Sequence, residues 1–300
     1  MAAMKIWKKL LQGTIILLTL GFLLYALYGS WQEIQNYEFQ ILWGYFFLSF
    51  FFLFVHFILV ALAWGLLLRA LQKPGVPMLQ ALRIRTLSDF ARFLPGRVWF
   101  IMFCIHLCKK YNLSSAKIAV SALMEEFLNI FSTILVFIFV FIVFTHDTLT
   151  QYAWYLVFLL PIPLLIMHPK IFQTFIHFIA KLLKKEYVSS TVEYHYLLSL
   201  LSVFFVAWIL LGFGFYLMTY SLYPVSYTYI LPLMGVFAIS WAAGFLVIIL
   251  PGGLGLREAV LSYLLSFFLP VPIAILVSLL SRVWLLGGEI LTALIFRMIK

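Results

Sequence analysis

The chain has 300 residues, of which 65% are hydrophobic and only 10% are charged. Soluble domains carry about 25% charged residues, so this composition excludes a soluble globular protein. We predict an all-α polytopic membrane protein that forms one integral membrane domain over residues 1–300. The formal net charge is +10, and the basic residues stand between apolar runs, as they do in cytoplasmic loops of membrane proteins. We therefore expect membrane lipids as partners and no nucleic acid, and we leave oligomerisation open.

Six apolar runs are predicted to cross the bilayer, whose core needs about 20 residues of helix. They are residues 11–29, 43–68, 118–144, 152–168, 197–220 and 273–296. The first run follows three lysines and could imitate a signal peptide. We interpret it as an uncleaved span, because it is long for a signal sequence and no A-x-A cleavage site follows it.

Three other apolar runs do not fit six simple crossings. Residues 98–108 are too short to cross and have basic residues on both sides, so we predict that this run enters from the cytoplasm and returns. Residues 230–250 and 256–269 lie between an external loop and a span that starts outside, so we predict a hairpin from the external face. The predicted architecture is thus six full spans and two re-entrant or broken helical hairpins.

The distribution of Lys and Arg orients the chain. Basic residues occur at the N-terminus, between residues 69 and 117, between residues 170 and 185, and at the C-terminus. The loops at residues 32–40, 146–151 and 222–229 contain neither Lys nor Arg. The positive-inside rule then predicts that both termini are cytoplasmic and that the protein is a multi-pass protein of the inner membrane.

A Leu-Pro-Gly motif occurs twice, at residues 94–96 before Arg97 and at residues 250–252 before Arg257. Paired helix interruptions in two halves indicate a transporter binding site at an inverted repeat. We predict that the two turns approach each other near the midplane, with candidate repeat halves at about residues 1–117 and 118–300. The alternative is that Leu-Pro-Gly is a common turn and that the match is chance.

The second motif resembles an anion site. Gly252, Gly253 and Gly255 can expose backbone N–H groups, a helix start follows them, and Arg257 adds a fork of donors suited to phosphate. The alternative is an ordinary helix start, with Glu258 placed near the positive end of the helix dipole and Arg257 paired to a carboxylate.

Further charged residues fall within predicted spans. Glu125 and Glu126 lie early in the run 118–144, and Arg282 and Glu289 lie seven residues apart in the last span. A charge at mid-membrane costs about 2.5–3.5 kcal/mol, so such groups usually face a cavity or a partner. We predict that Arg257 binds the phosphate with Arg97 or Arg282 as a second cation and with Glu258 in the same site. Glu125, Glu126 and Glu289 are the candidate supporting charges.

We interpret a histidine, a glycine pair and a cysteine pair within the apolar runs as structural features. His56 in mid-span is expected to be a hydrogen-bonded core histidine, with a proton relay as the alternative. Gly287-Gly288 is expected to permit close helix contact. Cys104 and Cys108 lie four residues apart, which places two small apolar side chains on one helix face, and we expect no metal and no cofactor.

The chain resembles the flippase-like membrane domain of the lysylphosphatidylglycerol synthase family. The residues that carry the resemblance are Leu94-Pro95-Gly96-Arg97, Pro251-Gly252-Gly253-Leu254-Gly255-Leu256-Arg257-Glu258, and Ser281-Arg282 with Gly287-Gly288. In the third span the family tends to have Glu-Arg followed by Asp, whereas this chain has Glu125, Glu126 and Asn129. We expect a stand-alone member without the synthase domain, and the resemblance then implies the lipid-translocating activity.

Function is therefore expected to be that of a flippase or transporter for a phosphate-bearing lipid, anionic or polyprenyl. The sequence contains no Walker A, H-E-x-x-H or G-x-S-x-G motif, so ATP-driven transport is unsupported. An intramembrane enzyme that acts on a lipid-linked substrate and a non-catalytic membrane scaffold are the alternatives.

Overall fold

The computed structural model describes residues 40–73, 75–93, 98–144, 192–246 and 255–298, together with Gly253 and a few other single positions. The predicted spans at residues 11–29 and 152–168 lie outside these ranges. So do the two Leu-Pro-Gly turns, at residues 94–97 and 250–252.

The described ranges are helical throughout and contain no β-strand. The α-helices are α1 (Trp43–Leu71), α2 (Met78–Asp89), α3 (Val98–Cys108), α4 (Ser115–Phe144), α5 (Tyr194–Leu222), α6 (Ile230–Leu246), α7 (Leu256–Leu265) and α8 (Val271–Arg297). Short 3₁₀ turns occupy Phe90–Phe93, Lys109–Tyr111 and Tyr227–Tyr229. The prediction of an all-α polytopic membrane protein is confirmed.

Four of the six predicted spans fall in the described ranges, and each is a long helix. They are α1, α4, α5 and α8, and each is long and apolar enough to cross a membrane. The stretch Tyr227–Phe245 also meets this criterion, although the sequence assigned it to a hairpin. Large apolar side chains such as Phe47 and Val283 are more than half exposed on the outside of the bundle, where lipid replaces water.

The helix ends collect at two opposite ends of the bundle. Leu42 N–H donates to Ser221 O (2.9 Å), which places the start of α1 beside the end of α5. At the far end of α1, Ser114 N–H donates to Gln72 Oε1 (3.1 Å), which places the start of α4 there. We call this second end the basic end, because it carries Lys73, Lys109, Lys110 and Lys117.

Helices α6 and α7 form a hairpin that returns to the end from which it started. The rings of Tyr229, just before α6, and Phe268, just after α7, have centroids 5.4 Å apart. Near the tip, a Cβ on Gly253 would lie 2.8 Å from Gly244 O, and Gly253 has φ +68°, so glycine is required there. In the described residues this agrees with the predicted hairpin of residues 230–250 and 256–269. Residues 247–250 lie outside the described ranges, and entry from the external face stays a prediction.

Helices α2 and α3 form the other hairpin, which opens at the basic end. Gln80 and Arg83 of α2 and Lys110 just after α3 line one groove there. The helical run α3 agrees with the prediction of a short returning segment. The sequence, however, assigned residues 78–89 only to a basic cytoplasmic region, whereas α2 is a limb of the hairpin that packs against α1, α8 and α3. The sequence did not indicate that α2 is part of the hairpin, because Arg83 and Arg85 lower the mean hydropathy of this segment.

Small residues bring α1 and α8 together. A Cβ on Gly288 would lie 2.2 Å from Leu53 Cδ2, and one on Gly287 would lie 3.3 Å from Phe50. Trp284 Nε1–H also donates to Ser49 Oγ (3.0 Å) between these helices. The interpretation of the glycine pair as a close helix contact is confirmed.

Candidate functional site

A cavity of about 60 Å³ lies where the two hairpins meet the long helices. Its lining combines charged groups, two tryptophans and aliphatic side chains. Among the described residues the lining comprises His56, Phe57, Val60, Arg85, Asp89, Asn129, Trp208, Leu211, Trp241, Arg257, Arg282, Leu285, Leu286 and Glu289. Such a volume can hold a few water molecules, and polar lining of this kind favours them.

The first hairpin, formed by α2 and α3, contributes Arg85 to the lining of the cavity. Arg85 is 1% exposed. Its Nη2 lies 2.6 Å from Glu125 Oε1 on α4, and its Nη1 pairs with Asp89 one turn along α2. Its guanidinium also lies 4.6 Å from the centroid of the Phe100 ring on α3. Because Arg85 has two carboxylate partners, its role is to tie α2 to α4.

The second hairpin, formed by α6 and α7, places Glu258 in the first turn of α7. Glu258 Oε2 accepts a hydrogen bond from Gly255 N–H (2.6 Å), and Glu258 Oε1 lies 3.2 Å from Arg282 Nε on α8. Gly255 has φ +90°, a conformation that L side chains rarely adopt. The ordinary helix-start interpretation therefore holds for Glu258, and the Gly255 amide already has a partner, so it does not face an open site.

An Arg–Glu pair therefore ties each hairpin to the long helix that follows it. The first pair is fully buried, and in the second pair Arg282 is partly buried. In the first pair the arginine is on the hairpin (Arg85) and the glutamate is on the span (Glu125). In the second pair the positions are exchanged, with Glu258 on the hairpin and Arg282 on the span. The sequence did not predict this arrangement, because pairing across helices depends on how they pack.

Arg257 differs from the other two arginines of the cavity. It is 5% exposed, and its guanidinium lies 5.0 Å from the centroid of the Phe237 ring. Its Nη2 is buried and has no hydrogen-bond partner among the residues that the structure describes. A Cβ on Gly244 would lie 2.8 Å from Arg257 Cβ, so this glycine makes the space that α7 needs for Arg257.

Charges around the cavity are close to balanced within the described ranges. Arg85, Arg257 and Arg282 are accompanied by the carboxylates of Asp89, Glu125, Glu258 and Glu289. Three positive charges and four negative charges give these groups a net formal charge of −1. A buried donor without a partner costs about 1–3 kcal/mol, and more for a charged group, and Arg257 Nη2 is such a donor.

The predicted site residues divide into three groups. Arg257, Arg282 and Glu289 line the cavity, and Glu125 and Glu258 pair with arginines that line it. Gly253 and Gly255 have backbone roles in the hairpin, and Glu126 is not among the described lining residues. Arg97 and Gly252 lie outside the described residues.

Sequence reasoning did not propose Arg85, Asp89, Asn129 or Trp208 as site residues, although all of them line the cavity. A signal for the first two was present, since Arg85 and Asp89 stand four apart and so share a helix face. Trp208 Nε1–H donates to Asn129 Oδ1 (2.7 Å), an inter-helix pairing that no sequence spacing indicates.

His56 also lines the cavity, and it is hydrogen-bonded as expected. Its Nδ1 lies 3.0 Å from Ala207 O on α5. Since a carbonyl oxygen can only accept, Nδ1 carries the proton of this bond. The bond fixes the ring between α1 and α5 and confirms a core role for His56.

Comparison with known proteins identifies a family for this chain. No curated protein and no solved structure matches the chain significantly. The family model described as the lysylphosphatidylglycerol synthase TM region matches residues 10–287, which include both hairpins and every lining residue except Glu289. The chain therefore belongs to the family of the lysylphosphatidylglycerol synthase transmembrane region.

Proposed function

We propose that the protein moves a phosphate-bearing lipid, anionic or polyprenyl, between the leaflets of the inner membrane, and that the phosphate passes through the cavity between the two hairpins. The observation that carries this proposal is Arg257. A guanidinium that is buried in a membrane bundle, next to a cavity and with an Nη2 lacking a described partner, suits a phosphate oxygen.

A phosphate needs donors inside an apolar slab, since a charge at mid-membrane costs about 2.5–3.5 kcal/mol. Arg282 lines the same cavity and serves as the second cation, with Arg97 as a further candidate. Acyl chains need no polar site. They stay in the surrounding lipid, so the path should open sideways to the bilayer.

The carboxylates keep the empty site from holding an anion too tightly. Glu258 already pairs with Arg282, so an incoming phosphate must share this arginine. Competition between a carboxylate and a phosphate for one guanidinium makes binding weak enough for release.

The cavity in this conformation is too small for a lipid headgroup. Its volume of about 60 Å³ is well below the roughly 300 Å³ at which small-molecule sites begin. Transport therefore requires the hairpins to separate from each other or from the long helices.

Reconstitution tests the proposal directly. Wild-type protein in liposomes should move a fluorescent anionic phospholipid between leaflets, which dithionite quenching of the outer leaflet measures. Arg257→Gln should slow this movement about tenfold or more, since a hydrogen bond to a charged group contributes about 1.5–3 kcal/mol. Arg257→Lys should also be slow, because a point charge loses the paired geometry of the guanidinium.

Arg297→Gln is the matched control, since it removes an arginine that is exposed at the end of α8. It should move lipid at the wild-type rate. If Arg257→Gln and Arg282→Ala both folded normally and moved lipid as fast as this control, the cavity charges would be structural pairs and the proposal would be wrong.

A further inference from the structure

A second polar site lies between the limbs of the first hairpin, at the basic end and apart from the central cavity. It is a groove of about 350 Å³, which falls within the roughly 300–1,000 Å³ typical of small-molecule sites. Its described lining is Gln80, Arg83, Ile84 and Leu87 from α2, and His106, Leu107, Lys109 and Lys110 from α3 and the turn after it.

Helix α2 separates this groove from the central cavity. Arg83 and Arg85 are two residues apart, so they project about 200° from each other around the helix. Arg85 faces α4 and is fully paired, whereas Arg83 lines the groove. The two arginines therefore belong to two different sites.

The charge of the groove has one sign. Arg83, Lys109, Lys110 and, when protonated, His106 can contribute positive charge, and none of the described lining residues is acidic. The Lys110 ammonium lies 4.9 Å from the centroid of the Tyr111 ring, which holds this side chain near the groove. Several cations that line one groove attract an anion such as a phosphate.

A neutral hydrogen-bonding group completes the lining. Gln80 Oε1 is buried and has no hydrogen-bond partner among the described residues. The amide can present its oxygen or, after a flip, its nitrogen, so it can bind a hydroxyl or a phosphate oxygen. A buried amide oxygen without a partner indicates that the groove can receive a polar group.

The exposed face of α3 indicates where the rest of the ligand lies. Trp99, Met102 and Phe103 are 43%, 51% and 43% exposed, and they lead along the helix to His106 and the lysines. This face changes from apolar to basic in the direction of the basic end. A phospholipid has the same order, with acyl chains on one side and a charged headgroup on the other.

We propose that the groove binds the headgroup phosphate of an anionic phospholipid from the leaflet at the basic end, with the acyl chains along Trp99, Met102 and Phe103. The proposal concerns equilibrium binding and does not depend on transport through the central cavity. Free phosphate shares the headgroup's chemistry, and only the apolar face of α3 distinguishes the two.

Brominated lipids provide the test, because bromine quenches tryptophan at short range and Trp99 lies on the proposed acyl-chain face. The protein is placed in nanodiscs of phosphatidylcholine that contain brominated phosphatidylglycerol or, in parallel, brominated phosphatidylcholine. The difference in quenching between the wild type and Trp99→Phe measures the quenching of Trp99 by lipid beside α3. This difference should be larger with brominated phosphatidylglycerol than with brominated phosphatidylcholine, and the ratio of the two is the lipid preference at Trp99.

Lys109→Gln/Lys110→Gln should reduce this preference about fivefold or more, since each basic residue near an anionic surface contributes about 1 kcal/mol. The matched control is Lys73→Gln/Arg297→Gln, which removes two exposed basic residues that do not line the groove. The control should retain the wild-type preference.

Three outcomes would overturn the proposal. One is an equal preference for both lipids at Trp99 in the wild type. Another is an equal loss in the control, which would mean general surface charge. The third is loss of the preference on adding inorganic phosphate at unchanged ionic strength, which would identify free phosphate as the ligand. Persistence of the preference under that addition supports the lipid.

Discussion

Arg83 and Arg85 have the same chemistry and nearly the same position in the chain, yet they serve different surfaces of α2. Arg85 is buried with two carboxylates, and Arg83 lines the groove at the basic end. Arg257 is a third case, buried with an Nη2 that lacks a described partner. Arg85 is therefore part of a structural ion pair, whereas Arg257 is a candidate binding group.

Glu125→Gln should lower the stability of the bundle by about 3 kcal/mol, the lower end of the range for breaking a buried pair, because Asp89 still neutralises Arg85. The measurement is thermal or denaturant unfolding in detergent. Glu126→Gln is the control, since this neighbouring residue has the same charge and is only partly buried. Equal losses in the two variants would contradict the role given to the Arg85–Glu125 pair.

At the scale of elements, the molecule consists of long helices that support two short hairpins. Each hairpin has an Arg–Glu pair to the long helix after it. Around them, glycines set the distance between helices, and the contact of α1 with α8 is the tightest of these. A larger side chain at such a contact should lower the free energy of unfolding, because packed helices cannot move apart by fractions of an ångström without losing other contacts.

Gly288→Ala should destabilise the protein by about 1–3 kcal/mol, because its Cβ would overlap Leu53, which is fully buried and cannot move aside. Gly287→Ala is the matched control on the same helix. Its Cβ would lie 3.3 Å from the edge of Phe50, and alanine favours the helix by about 1 kcal/mol over glycine. Unfolding in detergent compares the two. A Gly288→Ala protein as stable as Gly287→Ala would show that α1 and α8 adjust freely.

At the scale of the whole molecule, the two hairpins open at opposite ends and their inner ends reach one cavity. Asp89, at the end of α2, and Arg257, at the start of α7, both line it. This supports the inverted-repeat hypothesis. The approach of the two Leu-Pro-Gly turns themselves stays a prediction, since residues 94–97 and 250–252 lie outside the described ranges.

The basic end should face the cytoplasm. Ser114→Cys, exposed at the basic end, should be protected from a membrane-impermeant maleimide in intact spheroplasts, and Thr228→Cys, exposed at the other end, should be labelled. The native cysteines Cys104 and Cys108 are fully buried, so their background should be low. The reverse labelling pattern would mean that the positive-inside assignment is wrong for this chain.

The sequence alone determined the membrane class, the four long helices in the described ranges and the return of α6 through α7, because these depend on composition and on the length of apolar runs. It also identified Arg257, Arg282, Glu125, Glu258 and Glu289 as intramembrane charges. Tertiary structure decided which of these charges meet. The Arg85–Glu125 pair joins residues 40 positions apart. The sequence assigned α2 to a basic cytoplasmic region, whereas in the structure α2 is packed in the bundle and Arg85 is buried. Spacing along one helix predicts a shared face, whereas contact between two helices depends on their crossing, which no single segment encodes.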